Sequence, residues 1–433
     1  MGAIGFIGVF LSLALLIFLS MKGWNILLVA ILATVVLIVT NALNPYEAIF
    51  EQYMSGYGAF IQTNFPLFVV GAIFGKIMEV SGAASSVANL IVSKVGASKT
   101  IIAVVISCAV LAYGGVSAYV LVFTMYPISV SLFKEADIPR KFLPGALAFG
   151  TVTFAMTSPG TPQIQNIIPT QALGTDAMAG TVVGIICGLF MFIVGTIMLK
   201  RMVDKSMANG EGFVATKREE DLEEIDESRL PNAIIGLLPL LLTIVLLNIF
   251  KIKVEVSILA GIILGLIVFA PNLDFSNIVY HMGESCKGAI NAITTTCAVV
   301  AFGGVMKSTP SFAKLVDILV AIPGPPLIGA AVAVTVMAGV CGSATGGVSI
   351  SMPIVGPIYT AMGVSAEHLH RVAAIASGGL DSLPHNGYIV TLLNYCGVSH
   401  KEGYRPIFWL TVVLPFITTA LSIILFTIFP NLP

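Results

Sequence analysis

The sequence predicts an all-α polytopic membrane protein made of two inverted repeats, each with about five spans, one re-entrant hairpin and one broken helix. Three observations predict it. First, the 433 residues are 57% hydrophobic and only 10% charged, with a mean hydropathy of +0.99. Soluble domains carry roughly 25% charged residues, so this charge cannot clothe a water-facing surface. Second, apolar stretches near the roughly 20 residues that a helix needs to cross a bilayer recur along the whole chain. Third, short motifs of the first half return in the same order in the second.

Taken in order, spans are expected near 3–20, 24–42, 60–80, 143–171, 177–200, 232–250, 255–271, 287–306, 365–396 and 406–429. The first has no basic leader before it and no small-residue cleavage site after it, so it reads as a retained span. Between the third and fourth spans, arms 100–112 and 118–133 meet at a tip around Gly114, Gly115 and Ser117. Between the eighth and ninth, arms 327–340 and 348–360 meet around Gly342, Ser343, Thr345, Gly346 and Gly347. Arms this short suit re-entrant hairpins, and the amphipathic stretches 82–95 and 309–320 before them are expected along the membrane surface. The six cysteines stand singly in apolar segments, with no disulfide or metal spacing. A net charge of −1 offers nothing to nucleic acid.

Residues 201–231 hold nine acids and five bases and read as a solvated linker between repeats 1–200 and 232–433. Phe74-Gly75-x-x-Met78 recurs as Phe302-Gly303-x-x-Met306, and Gly114 recurs as Gly342 at the same offset of 228. Two similar units with an odd number of spans must lie in opposite orientations, an arrangement found in secondary transporters. With the linker on one side, sixteen of the Lys and Arg residues share that side and five (Lys251, Lys253, Lys307, Lys314, Arg371) take the other. The positive-inside rule then places the linker in the cytoplasm and both termini outside, in a bacterial inner membrane.

The chemistry is expected where two spans are interrupted. Thr157-Ser-Pro-Gly-Thr-Pro-Gln163 breaks the fourth, and Ser377-Gly-Gly-Leu-Asp-Ser-Leu-Pro-His-Asn-Gly387 breaks the ninth. Unwound backbone survives in a bilayer only where it lines a protein cavity or a ligand, and each break creates a half-helix N-terminus suited to a carboxylate. Candidate substrate-binding residues are Gly114, Gly115, Ser117, Thr161, Gln163, Asn166, Ser343, Thr345, Ser382, His385 and Asn386. Asp381 is the one acid expected mid-span outside the linker, and His385 the one deep histidine, so both are candidates to carry a coupling ion. No intramembrane Lys or Arg is evident. Glu367, His368, His370 and Arg371 are expected together on the outer side. No cofactor or metal is expected beyond the coupling ion, H+ or alternatively Na+.

The tip Gly114-Gly-Val-Ser117, the break Pro159-Gly-Thr-Pro-Gln-Ile-Gln-Asn166 with its following Ile-Ile-Pro169, and the stretch Ser377 to Asn386 resemble the gluconate permease (GntP) family, within the wider ion transporter superfamily. The resemblance spans nearly the whole chain. It implies a lipid-embedded homodimer in which a domain bearing both hairpins and both broken helices slides against a scaffold, an elevator-type transporter. It also implies symport of a small organic anion, usually with protons. Gluconate-type members are expected to carry a carboxylate near the first tip and a histidine in the first break. This chain has neither, so it is more similar to the 3-hydroxybutyrate permease branch, which implies a small hydroxy-monocarboxylate. A cation/proton antiporter on the same fold and a sodium-coupled anion symporter remain open alternatives. An intramembrane hydrolase using Ser117 would have no reason to repeat the whole arrangement.

Overall fold

The computed structural model describes residues 2–22, 24–95, 99–215, 230–312, 314, 322–384 and 386–432, and the described residues form helices and loops with no strand. The first half runs through α1 (Gly2–Met21), α2 (Ile26–Asn41), α3 (Glu47–Val80) and α4 (Ala83–Val95). A hairpin of α5 (Thr100–Tyr113) and α6 (Ala118–Glu135) follows. Next come the pieces of one interrupted span, α7 (Leu143–Val152), α8 (Phe154–Thr157) and α9 (Ile164–Leu173), and then α10 (Thr181–Ala208). The second half begins with α11 (Ala233–Asn248), α12 (Val254–Val268) and the long α13 (Ile278–Lys307). Its hairpin is α14 (Pro326–Cys341) with α15 (Ala344–Ala361), its interrupted span is α16 (Ala366–Ser377) with α17 (Gly387–Tyr395), and α18 (His400–Ile428) closes the chain.

Among the described residues, α3, α10, α13 and α18 are each long and apolar enough to cross a membrane. At 1.5 Å per residue, the 28 residues of α10 reach well past a hydrocarbon core of roughly 30 Å. Large apolar side chains such as Ile31, Val39, Ile193, Leu241 and Ile263 stay exposed on these and neighbouring helices, as a lipid-facing surface requires. The chain is a multi-pass membrane protein.

Two expectations change. The third span begins at Glu47 rather than near 60, because Glu47–Tyr53 winds as a π-helical turn that runs straight into α3. The stretch 82–95 does not lie free on a surface. Ala83, Ala84, Val87 and Ala88 are buried, α4 packs on α5 and α11, and Ser86 Oγ donates to Pro231 O at 2.5 Å. Most of its counterpart, 309–320, lies outside the described residues, as does 216–229 of the linker. The start of the linker is pinned: Arg140 donates to Val214 O at 3.0 Å, and Lys141 pairs with Glu211.

The packing explains the repeated Phe-Gly motif. A Cβ on Gly75 of α3 would lie 3.1 Å from Val120 Cγ2 of α6, and one on Gly303 of α13 would lie 2.8 Å from Ile350 Cγ2 of α15. Each glycine thus lets a long helix close on the second arm of its own half's hairpin. Other pairings cross between halves: α12 packs on α3 while α2 packs on α13, and α15 packs on α9 while α6 packs on α17.

Candidate functional site

Each hairpin is stitched to the interrupted span that follows it. Gln163 Nε2 donates to Ala112 O at 2.6 Å and to Val116 O at 3.2 Å, so its side chain turns to the first tip. Tyr113 Oη donates to Pro159 O at 2.7 Å, and Thr161 Oγ1 to Tyr113 O at 3.4 Å. Gly115 takes a φ of +103° with Pro162 Cγ 3.1 Å from where a Cβ would stand, a turn that only glycine adopts without strain. In the second half, Thr335 Oγ1 of α14 donates to Ala376 O at 2.9 Å, just before the second break.

The two halves meet across a cavity of about 1040 Å³. Gln165 Nε2 donates to Thr345 Oγ1 at 2.9 Å, joining the first break to the second tip. Tyr119 of α6 and Tyr388 of α17 stack edge to face with centroids 5.7 Å apart, joining the first hairpin to the second broken helix. In the second break, Asp381 is 5% exposed: Ser382 Oγ donates to its Oδ1 at 2.8 Å, and Asn386 Nδ2 donates to its backbone O at 2.7 Å. Tyr404 Oη holds Ser382 O at 3.0 Å.

Four helices start on this cavity. Ser117, Gln163, Ser343 and Asn386, the N-caps of α6, α9, α15 and α17, all line it. A helix N-terminus carries roughly half a positive charge and N–H groups without intrahelical partners. Ser117, Ser343 and Asn386 each cap one such N–H with their own oxygen, whereas no side chain caps α9. Carbonyls on the opposite sides of the breaks are engaged elsewhere: Thr157 O accepts from Arg371 and Ala376 O from Thr335. The cavity therefore meets donor ends at four points, with one carboxylic acid, Asp381, beside them.

Comparison with known proteins decides the family. Residues 4–258 match the model of the GntP family of permeases. The uncharacterized transporter YxjC of Bacillus subtilis is 35% identical, over 94% of this chain and 95% of its own. The chain belongs to the GntP family of permeases. A permease of Haemophilus influenzae is 26% identical, over 67% of this chain and 65% of its own. The crystal structure of the Alcanivorax borkumensis YdaH transporter, described as having an unusual topology, shares the fold at a TM-score of 0.67 and 16% identity, covering 95% of this chain and 100% of that one. This GntP permease is a membrane transporter and not an enzyme.

Of the residues singled out in the sequence, Gly115, Ser117, Gln163, Ser343, Thr345, Asp381 and Asn386 line the permease's cavity. Gly114, Thr161, Asn166 and Ser382 stand behind its wall. Gly114 packs on Leu240, where a Cβ would come within 2.5 Å of Cδ2. Thr161 is wholly buried, and so is Asn166, whose Nδ2 braces Thr161 O and Ala177 O at 2.9 Å each. Ser382 is 1% exposed. His385 lies outside the described residues.

Three further side chains stand where the sequence did not suggest a role for them. Gln165 lines the cavity, and its Oε1 is buried without a partner. His370 and Arg371, expected on the outer surface, are both 0% exposed inside the permease. His370 Nε2 lies 3.0 Å from Asn166 Oδ1 and its Nδ1 2.7 Å from Thr175 Oγ1. Arg371 donates to Thr157 O at 2.5 Å and to Ala179 O at 2.7 Å. A fully buried arginine therefore does exist beside the breaks, and it grips the backbone around the first one. Among the described residues no cluster of His, Cys, Asp and Glu is placed to hold a metal ion.

Proposed function

We propose that this permease is a secondary active transporter that moves a small hydroxy-monocarboxylate, 3-hydroxybutyrate or a related sugar acid such as gluconate, in symport with protons. The observation that carries this reading is the convergence of four helix N-termini on one cavity that also holds Asp381. Donor ends of this kind suit a carboxylate, and a buried carboxylic acid beside them suits a coupling proton. The polar side chains of Ser117, Gln163, Ser343 and Thr345 on the same cavity favour a substrate that also brings a hydroxyl, because they offer it partners beside the carboxylate site.

The crossed pairings, α12 on α3 with α2 on α13 and α15 on α9 with α6 on α17, support a twofold relation between the halves. With an odd number of crossings per half, that relation is an inverted repeat. The cavity runs from the tips to Lys76 and Glu79 of α3 and Glu284 of α13, the side that the positive-inside rule makes cytoplasmic. On this reading the structure is inward-open, and transport slides the hairpins and broken helices past α3 and α13. The inner membrane, the outward termini and the homodimer belong to the same proposal.

The test is uptake of labelled 3-hydroxybutyrate into proteoliposomes under an inward proton gradient. Accumulation that collapses with the gradient is expected. Unlabelled butyrate and 3-oxobutyrate, which offer no hydroxyl donor, should compete roughly tenfold less well than 3-hydroxybutyrate, the value of one hydrogen bond to a buried group. Sodium-driven uptake without a proton gradient would replace the proton, and proton-driven cation efflux with no organic substrate would replace the reading by an antiporter.

A further inference from the structure

Arg371 is the most deeply buried charge among the described residues, and it is compensated by carbonyls alone. Its Nε donates to Ala179 O at 2.9 Å, Nη1 to Thr157 O at 2.5 Å, and Nη2 to Ala179 O at 2.7 Å and Ala177 O at 3.3 Å. Among the described residues no carboxylate bonds it. The nearby Asp176 is engaged by Lys251 at 2.7 Å. His370 is satisfied as a neutral imidazole, donating to Asn166 Oδ1 and accepting from Thr175 Oγ1. Tyr113 and Cys187, which also face the guanidinium, are neutral near pH 7.

An unpaired buried cation is costly, and in a membrane such a group is a functional hypothesis by default. Arg371 stands on α16, and Asp381 follows in the break that ends α16. The phenols of Tyr119 and Tyr388, which line the same cavity as Asp381, and of Tyr404, which holds Ser382 O, are neutral at the same pH, and His385 lies outside the described residues. The remaining charges on the cavity are Lys76 with Glu79, 2.7 Å apart on α3, and Glu284, 2.6 Å from Lys287 on α13. They stand on the long helices that the proposed sliding leaves in place. Arg140, the other buried arginine, is held at the linker end of the molecule beside Lys141 and Glu211.

We propose that Arg371 is the fixed positive charge of the substrate-carrying unit, and that its balance against Asp381 sets transport at one proton per monocarboxylate with neither half-cycle moving net charge. Empty, the unit holds Arg371 positive and Asp381 negative and is neutral. Loaded, Asp381 is protonated, the substrate carries the negative charge, and the unit is neutral again. By holding Thr157 O, Arg371 also engages the carbonyl end of α8, so the anion meets the N-terminus of α9 without that opposing end. This inference rests on the proton-coupled anion reading above.

The experiment measures initial uptake of labelled 3-hydroxybutyrate by proteoliposomes at a fixed proton gradient, with potassium and valinomycin setting the potential at zero and at about 100 mV of either sign. One elementary charge crossing about 100 mV shifts an equilibrium by roughly fiftyfold. For the wild type, the rate and the final accumulation should be the same at every potential. Arg371→Lys keeps the charge but loses the fork, so its uptake should be slower and still indifferent to potential. Arg371→Gln leaves both forms of the unit with one net negative charge. Its initial rate should become potential-dependent, slowed by an inside-negative potential where the loaded crossing limits uptake and hastened where the empty return limits it, while the final accumulation stays unchanged because the stoichiometry is unchanged. A merely structural clamp would slow transport without creating this dependence. Wild-type uptake that responds to potential overturns the charge balance and leaves the anion reading standing, and this arm decides even if neither variant folds. An Arg371→Gln rate as indifferent as the wild type's overturns the role of Arg371. Absence of uptake under every gradient overturns the anion reading and this inference with it.

Discussion

At the scale of single residues, the proposed mechanism makes Asp381 the residue that separates binding from coupling. Ser382 Oγ donates to its carboxylate at 2.8 Å, and its break opens on the cavity. In Asp381→Asn the group can no longer give up or take a proton. The loaded unit, with Arg371 and the anion, stays neutral and can cross, whereas the empty unit carries a positive charge and is retarded. Under a gradient of one pH unit with the potential held at zero, accumulation should therefore fall from roughly tenfold to unity, while exchange of labelled for unlabelled substrate persists. Equal loss of exchange and accumulation would make Asp381 a substrate ligand or a structural residue instead. Asp381 was legible because an acid inside an apolar run has no other ready explanation. Arg371 and His370 were not, since they sit near the start of a span where a charge reads as surface. Their partners, the carbonyls of Thr157, Ala177 and Ala179 and the side chains of Asn166 and Thr175, lie roughly two hundred residues earlier, and no local pattern announces them.

At the scale of elements, the hairpins depend on close approach of their arms. A Cβ on Gly347 of α15 would stand 2.4 Å from Ala338 Cα of α14, a backbone atom that cannot turn aside. Gly347→Ala should force the arms of the second hairpin apart at a cost of about 3 kcal/mol, the upper end for overpacking. It should lower the thermal unfolding midpoint in detergent by several degrees and slow uptake. Gly58→Ala, on an exposed face of α3 with nothing within 4 Å, should leave the midpoint unchanged or raise it slightly, since alanine favours helix. A Gly347→Ala midpoint equal to the wild type's would contradict the packing. Both breaks were legible because proline, glycine and polar residues gather where an apolar span should continue. The start of α3 was not, because Glu47, Glu51 and Gln52 read as a loop although the chain winds through them as a π-helical turn. Nor was the burial of α4, whose small residues find partners in α5 and α11, helices that its own sequence does not reveal.

At the scale of the molecule, the question is what moves. The repeated Phe-Gly motif was visible in the sequence, but only the packing gives it a meaning: each glycine sits where a long helix touches the hairpin of its own half. On the proposed mechanism these are the two sliding contacts. A Cβ on Gly75 would lie 3.6 Å from Val120 Cβ, and one on Gly303 would lie 3.7 Å from Ile350 Cβ. Both separations fall within the range of roughly 3.5–4.5 Å that a disulfide spans. In a background freed of the native cysteines, the pairs Gly75→Cys with Val120→Cys and Gly303→Cys with Ile350→Cys should each oxidise to a bridge. Either bridge ties a hairpin to a long helix, so either should stop uptake, and reduction should restore it. Substrate binding to the protein oxidised at the Gly303 and Ile350 positions, measured by equilibrium dialysis, should persist because neither residue lines the cavity. Continued uptake with both bridges formed would mean that the hairpins stay seated on α3 and α13 through the cycle. Access would then have to alternate by movement of α17 or α9 alone. Arrest by one bridge but not the other would mean that only one hairpin leaves its long helix, and the proposed twofold relation of the halves would not extend to the motion.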